Sequence, residues 1–378
     1  MDQARRWTGE ADEAAADRDA HATARTILAV ASPVVEFAPV AGSGRVAFHI
    51  LGRGPAVAML FPYHVNHLTL NWRVPLHRGA MQFLARHFAV INLDFPGAGL
   101  SRPLNGDLSL TSLSNALDAV REAAGIERLG VCAMGAAGLI ACHFAARHPQ
   151  RVTGLVFIAS GESDANRQLL HLRQDAPEVE AELRGALLSG VGDKRNALAL
   201  ADVARASLDA STLAKWEQLL QREDLLSIAA AVSAPALYFH AAADKLVPMA
   251  AARTLVSRLT KATLSVVPAK SGMDVWRNRA AVREIVQFLK TGPGPKPTPA
   301  RSWPRSNRAA HPAGLSDREV EVIRLLAAGR TNQQIADDLF ISLNTVSYHL
   351  QNIFAKTRAS NRTEAAAFAF EAGLASRT

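Results

Sequence analysis

The chain has few of the residues that staple or anchor a fold. Its 378 residues include two cysteines, Cys132 and Cys142, too few for a disulfide framework or a cysteine-based metal quartet. No metal and no cofactor is expected. No apolar run approaches the ~18 residues that a membrane-spanning helix needs, so no membrane partner is expected. The start of the chain carries no basic segment followed by an apolar one, and a cytoplasmic location is expected. Disorder is not the dominant state, since 49% of the residues are hydrophobic. The length allows two domains, one of them large enough for a deep core.

What is present is basic: the formal charge is +8 at pH 7, which suits a nucleic-acid partner. The excess is unevenly placed. Residues 291–312, TGPGPKPTPARSWPRSNRAAHP, hold six prolines, four Lys or Arg and no acid, and read as an extended, solvated tether able to lie along phosphates. From Gly314 onward seven basic residues meet seven acidic ones, a formal balance of zero.

That last segment is patterned for helices. Ser316 and Glu319 form a capping box. Val320, Ile323, Leu325 and Leu326 give the helix behind it an apolar face, which ends near Ala328 before Gly329. The same signal recurs at Thr331 and Gln334, opening a short helix with Ile335, Ala336 and Leu339 inward. From Leu343 to about Lys356 the inward positions are Val346, Leu350, Ile353 and Phe354. Asn344, Ser347, Tyr348 and Gln351 line the opposite stripe, which is slim enough for a major groove.

With LSDRE, GRTNQQIA, SLNTVSYH and NRTEA in register, residues 313–378 resemble the LuxR-type (also FixJ- or GerE-type) DNA-binding domain. The resemblance implies an all-α helix-turn-helix that binds double-stranded promoter DNA. It implies base reading from Ser347, Tyr348 and Gln351, with Thr345, Asn332, Lys356 and Arg362 at backbone-contacting or supporting positions. Ser347 stands where the family usually carries lysine. With one cation fewer and no net charge, a single copy should bind weakly, so a homodimer is expected.

Upstream, short β runs alternate with helices: 46–51, 56–60, 89–93, 129–133, 152–159, 236–240 and 263–267. This is the pattern of a mostly parallel sheet covered on both faces. Residues from about 165 to 230 break the alternation and are helical throughout. Residues 1–39 read as an arm, either a frayed helix or disordered.

Residues 40–290 resemble the α/β-hydrolase fold, with the 165–230 stretch as its cap. Four segments carry the likeness: PYHVNHLTLNW at 62–72, DFPGAGLS at 94–101, GLIACHFAARHPQRV at 138–152 and HAAADKLVP at 240–248. The chemistry of that fold needs a serine on a sharp strand-to-helix turn, a histidine base and an orienting carboxylate. In register, the nucleophile position is Gly135 and the base position is Gly272 or Met273. Asp244 alone keeps the acid position.

A domain with cavity and cap but without nucleophile and base is suited to hold a small molecule without converting it. Tyr63, His64, Met134, Gly135, Asp244 and Met273 are the candidate ligand-binding residues. For His64 the other reading is an exposed loop histidine, for Tyr63 a wall residue, and for Asp244 a brace for its own loop. Met134, Met273 and alanine-rich walls favour a hydrophobic or aromatic ligand. The expected protein is thus a ligand-responsive, non-enzymatic transcriptional regulator. Two alternatives stand beside it: a dimerisation or partner-docking body with a filled interior, or an atypical hydrolase using Cys132 or His64.

Overall fold

A computed structural model describes residues 33–40, 44–101, 107–161, 163–190, 192–292, 311–339 and 343–375. The arm expected over residues 1–32 and most of the expected tether, 293–310, lie outside the described residues.

Eight strands form one sheet: β1 (Glu36–Val40), β2 (Gly44–Leu51), β3 (Ala56–Leu60), β4 (Ala89–Leu93), β5 (Leu129–Met134), β6 (Val152–Ile158), β7 (Ala236–Ala241) and β8 (Ala262–Val267). Their order across the sheet is β1-β2-β4-β3-β5-β6-β7-β8. β2 pairs antiparallel with β1 and β4, and every other pairing is parallel. LGVCAM of β5 and ALYFHA of β7 are buried along their whole length, as strands covered on both faces must be. β1 alternates toward its inner end and caps the sheet edge. Residues 36–39, expected to be the end of the arm, therefore belong to the sheet. A five-residue edge strand is too short to announce itself beside a biased segment.

The helices follow in chain order: α1 (Leu68–Asn71), α2 (Pro75–Leu84), α3 (Leu110–Ala123), α4 (Ala137–Arg147), five cap helices α5 (Asp164–Asp175), α6 (Pro177–Ser189), α7 (Lys194–Ser207), α8 (Ala210–Arg222) and α9 (Leu225–Ala230), then α10 (Met249–Arg258) and α11 (Arg279–Thr291). The sheet splits the core. One face packs Leu117, Ile140, Phe144 and Phe157 with Tyr238. The other packs Met81, Leu84, Phe239, Trp276 and Ile285.

Backbone crowding shapes two contacts. A Cβ on Gly130 would lie 2.8 Å from Leu289 Cδ2, and one on Gly154 3.1 Å from a Phe288 ring carbon, so glycines in β5 and β6 let α11 press on the sheet. A Cβ on Gly185 would meet the Ala197 carbonyl at 2.2 Å, which brings α6 and α7 into backbone contact.

The terminal module has its own core, built from Val320, Val322, Ile323, Ile335, Val346 and Ile353. Its helices are α12 (Asp317–Ala327), α13 (Asn332–Leu339), α14 (Leu343–Thr357) and α15 (Arg362–Glu371). Both expected capping boxes form. Ser316 N donates to Glu319 Oε2 at 2.7 Å while Glu319 N donates to Ser316 Oγ at 3.3 Å. Thr331 and Gln334 repeat the exchange at 2.9 and 3.2 Å.

Candidate functional site

Where β5 gives way to α4, Gly135 takes φ +53°. This is the left-handed turn on which the fold mounts a nucleophile. Its amide donates to the Ile158 carbonyl at 3.1 Å and its carbonyl accepts from Gly138 N at 3.1 Å. The elbow is intact, and the position that would carry the attacking group has no side chain. A Cβ there would find Pro62 Cγ at 3.2 Å.

Gly272 and Met273, the two positions expected for the base, stand on the opposite wall. A Cβ built on Gly272 would lie 2.7 Å from the Ala159 Cβ and 3.9 Å from Asp244 Oδ2. Asp244 itself is occupied: its Oδ1 accepts from the amides of Leu246 and Val247 at 2.8 and 2.9 Å, and the carboxylate also accepts from the Gly272 amide. Burial pushes its pKa upward against those three donors.

A cavity of about 50 Å³ lies between these walls, and His64, Met134, Gly135, Asp244 and Met273 all line it. His64 is buried rather than exposed on its loop. Tyr63 is the correction. Its ring is in the core, 4.9 Å from Trp216, and its hydroxyl donates to the Pro96 carbonyl. Adjacent residues of a 3₁₀ turn point to different sides, so His64 enters the cavity and Tyr63 leaves it.

Among the described residues no serine, threonine or cysteine lines this cavity. A second cavity of about 130 Å³ adjoins it, sharing Gly135, Ala136 and Asn166, and reaches Arg167 and Gln221 near the surface. Its one hydroxyl residue, Ser163, caps α5: the Oγ accepts from Asn166 N at 3.3 Å and donates to the Leu246 carbonyl. Cys132 is fully buried in β5 and desolvation pushes its thiol far up. A serine–imidazole pair does occur, Ser114 Oγ and His143 Nδ1 at 2.7 Å, but these residues sit on α3 and α4 and neither lines either of these two cavities.

The composition of the cap wall was not foreseen. Arg184 and Asn166 reach the 50 Å³ cavity, so this wall is not purely apolar. Arg184 Nε bonds Glu180, one helical turn earlier on α6, and its Nη1 donates to Asn166 Oδ1 at 3.2 Å. Arg173 Nη1 donates to the His64 carbonyl at 3.2 Å. A Glu–Arg pair four residues apart reads as a solvated helix face. The signal that could have exposed it is Gly185, whose close approach to Ala197 turns this face inward.

On α14, Ser347, Tyr348 and Gln351 are exposed, Tyr348 at 61%. The side chains of Asn344 and Thr345 lie outside the described residues. Lys356 Nζ pairs with Glu319 at 2.7 Å, tying α14 to α12. Arg362 donates to Asn332 Oδ1 at 3.2 Å and to the Arg330 carbonyl. Lys356, Arg362 and Asn332, expected at backbone-contacting or supporting positions, thus make bonds within the module.

The fold and these two sites define a class: an α/β-hydrolase domain followed on the same chain by a helix-turn-helix. Comparison with known proteins agrees. Residues 313–369 match the family model of bacterial regulatory proteins, luxR family, and residues 70–192 match that of the alpha/beta hydrolase fold. Transcriptional regulatory protein LiaR of Bacillus subtilis is 46% identical over 55 residues, 15% of this chain and 26% of LiaR. Response regulator protein VraR of Staphylococcus aureus is 40% identical over 60 residues, 16% of this chain and 29% of VraR. The chain thus spans little more than a quarter of these relatives.

The solved structures bear on the other domain. An esterase from Exiguobacterium antarcticum superposes with a TM-score of 0.60 at 14% identity, covering 68% of this chain and 100% of that one. The enol-lactonase from Burkholderia xenovorans LB400 gives 0.56 at 20%, with the same coverage. At this identity the likeness shows the fold alone. The chain therefore carries an α/β-hydrolase domain and a LuxR-type DNA-binding domain. No helix among the described residues is long and apolar enough to cross a membrane.

Proposed function

We propose that this chain is a transcriptional regulator whose hydrolase-type domain captures a small molecule, leaves it unconverted, and thereby sets the DNA engagement of the LuxR-type domain. The observation that carries the reading is the pair Gly135 and Gly272. One preserves the elbow's positive φ without a nucleophile, the other stands against Ala159 at one of the two positions, with Met273, expected for the base, and a cavity remains between them. Acyl transfer needs an attacking group within reach of a base; His64 is the one imidazole on the cavity wall, and among the described residues no serine, threonine or cysteine stands there with it.

The buried Cys132, with its raised pKa, argues against a substitute nucleophile. The two adjoining cavities argue against a filled docking body. The regulator acts in the cytoplasm on promoter DNA as a homodimer, since a formally neutral module gains useful affinity by engaging two half-sites. Residues 291–312 serve as the basic tether between sensor (40–290) and output (313–378). A tether of this length favours control through effective concentration or masking.

The test has two arms. The intact protein is titrated against labelled promoter fragments from its host at several salt concentrations, and assayed with p-nitrophenyl acetate. Salt-sensitive binding without turnover above the buffer rate is expected. Absence of DNA binding would remove the output half, and enzymatic turnover would remove the sensor half.

A further inference from the structure

The deeper cavity is mostly apolar, and two buried cation-forming side chains interrupt its lining. Arg184 is 1% exposed, and after its bonds to Glu180 and Asn166 the Nη2 group has no partner among the described residues. His64 is 3% exposed and neither ring nitrogen has a partner among them. Both side chains line the same cavity, on walls supplied by different elements: Arg184 from α6 of the cap, and His64 from the 3₁₀ turn after β3.

Resting on the capture reading above, we propose that this chamber receives a carboxylate, so that the captured compound is an organic acid whose body passes Gly135 into the outer cavity. A carboxylate is acceptor-only. It can take one N–H from Arg184 Nη2 and one from the His64 imidazole, two donors that protein groups leave unused. Charge agrees with this assignment. Two buried guanidinium groups, Arg173 and Arg184, face one fully buried carboxylate, Glu180. The one acid on the cavity wall among the described residues, Asp244, is already committed to the amides of Leu246 and Val247 in its own loop and to that of Gly272. Glu217, the next carboxylate, belongs to the outer cavity and binds Gln174, and its charge reaches Arg173 but is not among those acting on Arg184.

Size agrees as well. About 50 Å³, at ~10–15 Å³ for each water-sized group, holds roughly four such groups, which suits a carboxylate and its α-carbon. The rest of the ligand has about 130 Å³ beyond the junction at Gly135, Ala136 and Asn166, with Leu139 and Leu170 on its walls. A side chain at 135 would narrow that junction, so the glycine both removes the nucleophile and opens the passage.

The experiment titrates the intact chain with acetate, propanoate and butanoate, and with the matching primary amides. The His64 imidazole is followed by NMR and assigned through His64→Gln. The acids are expected to shift the His64 signal and to bind at least tenfold more tightly than their amides. In Glu180→Gln/Arg184→Gln, which removes the buried pair together, that preference should vanish while amide binding persists. Should the double variant not fold, Arg184→Lys keeps the cation and its partner but lacks the second nitrogen, and should lose the same preference.

Amides binding as well as acids, or acid preference surviving these substitutions, would overturn the carboxylate assignment and leave capture intact. Silence of His64 toward both series would also overturn it. Capture itself falls only if native mass spectrometry of protein from its own host finds no retained compound.

Discussion

Gly272 stands 2.7 Å, measured from a Cβ built upon it, from the Cβ of Ala159. Ala159 itself holds φ +48°, a strained conformation for a residue with a side chain. Gly272→His should therefore destabilise the fold by about 1–3 kcal/mol through overpacking. Adding Ala159→Gly removes the obstructing methyl and eases the strained backbone, and should recover most of the loss. Thermal midpoints of the two variants check this. A Gly272→His protein as stable as the parent would mean that the base position is open.

The buried pair Arg184 and Glu180 gives a second expectation. Arg184→Met leaves the buried Glu180 carboxylate with only the 4.0 Å contact to Arg173 and should cost about 3–5 kcal/mol, whereas Glu180→Leu/Arg184→Met, in which Arg173 keeps its bonds to the His64 and Ala204 carbonyls, should fall within about 1–2 kcal/mol of the parent. Urea midpoints decide it. Equal losses in both proteins would show that the charge is not what matters there.

Acid should weaken the domain through its histidines. Burial pushes His49 down to about 4 and His77 to about 3. The folded state thus binds protons less readily than the unfolded one. This contribution is complete above the unfolded value near 6.5 and is lost as pH falls from there toward 4 and 3. Asp94, pushed up to about 7 by burial, has the opposite sign: its contribution is full below the unfolded carboxylate range and fades as pH rises through 7. The difference between the parent and His77→Phe isolates one histidine. Between pH 6.5 and 4.5 the parent should lose more stability than the variant. Parallel curves would place the His77 titration elsewhere.

For DNA, Gln351→Ala in the intact chain should weaken the best-bound promoter fragment by about 1–3 kcal/mol while leaving affinity for mixed-sequence duplex nearly unchanged. Lys356 is engaged by Glu319, so Lys356→Met should change the slope of binding against salt by clearly less than the ~0.9 of a full phosphate contact. Anisotropy titrations at three salt concentrations separate the two effects.

Cys132 and Cys142 are both buried, the second with its thiol pushed up to about 12. Neither should react with Ellman's reagent until the protein unfolds. Rapid labelling of the native chain would reopen the cysteine-hydrolase alternative.

Much of this was legible without coordinates. The capping boxes at Ser316 and Thr331 and the 3.6-residue spacing of Val346, Leu350 and Ile353 are local signals. Helices obey them because their hydrogen bonds are local. The strands of the sheet interior were equally plain, since LGVCAM and ALYFHA are continuous apolar runs. The elbow glycine, Gly135, was legible too, whereas register left the base position open between Gly272 and Met273. What escaped was β1, too short to show a period, and the direction of Tyr63 relative to His64, which a single 3₁₀ turn decides.

The sequence by itself determined the elements, the elbow without a hydroxyl and the two-module plan, because propensity, capping and register act over a few residues at a time. Only the tertiary structure decided that Glu180 and Arg184 face inward, that Arg173 holds the His64 carbonyl, and that two buried donors converge on one cavity. Those facts depend on α6 meeting α7 at Gly185 and on strands far apart in the chain lying side by side, and burial, which governs what a charged group can do, exists only once the layers have closed.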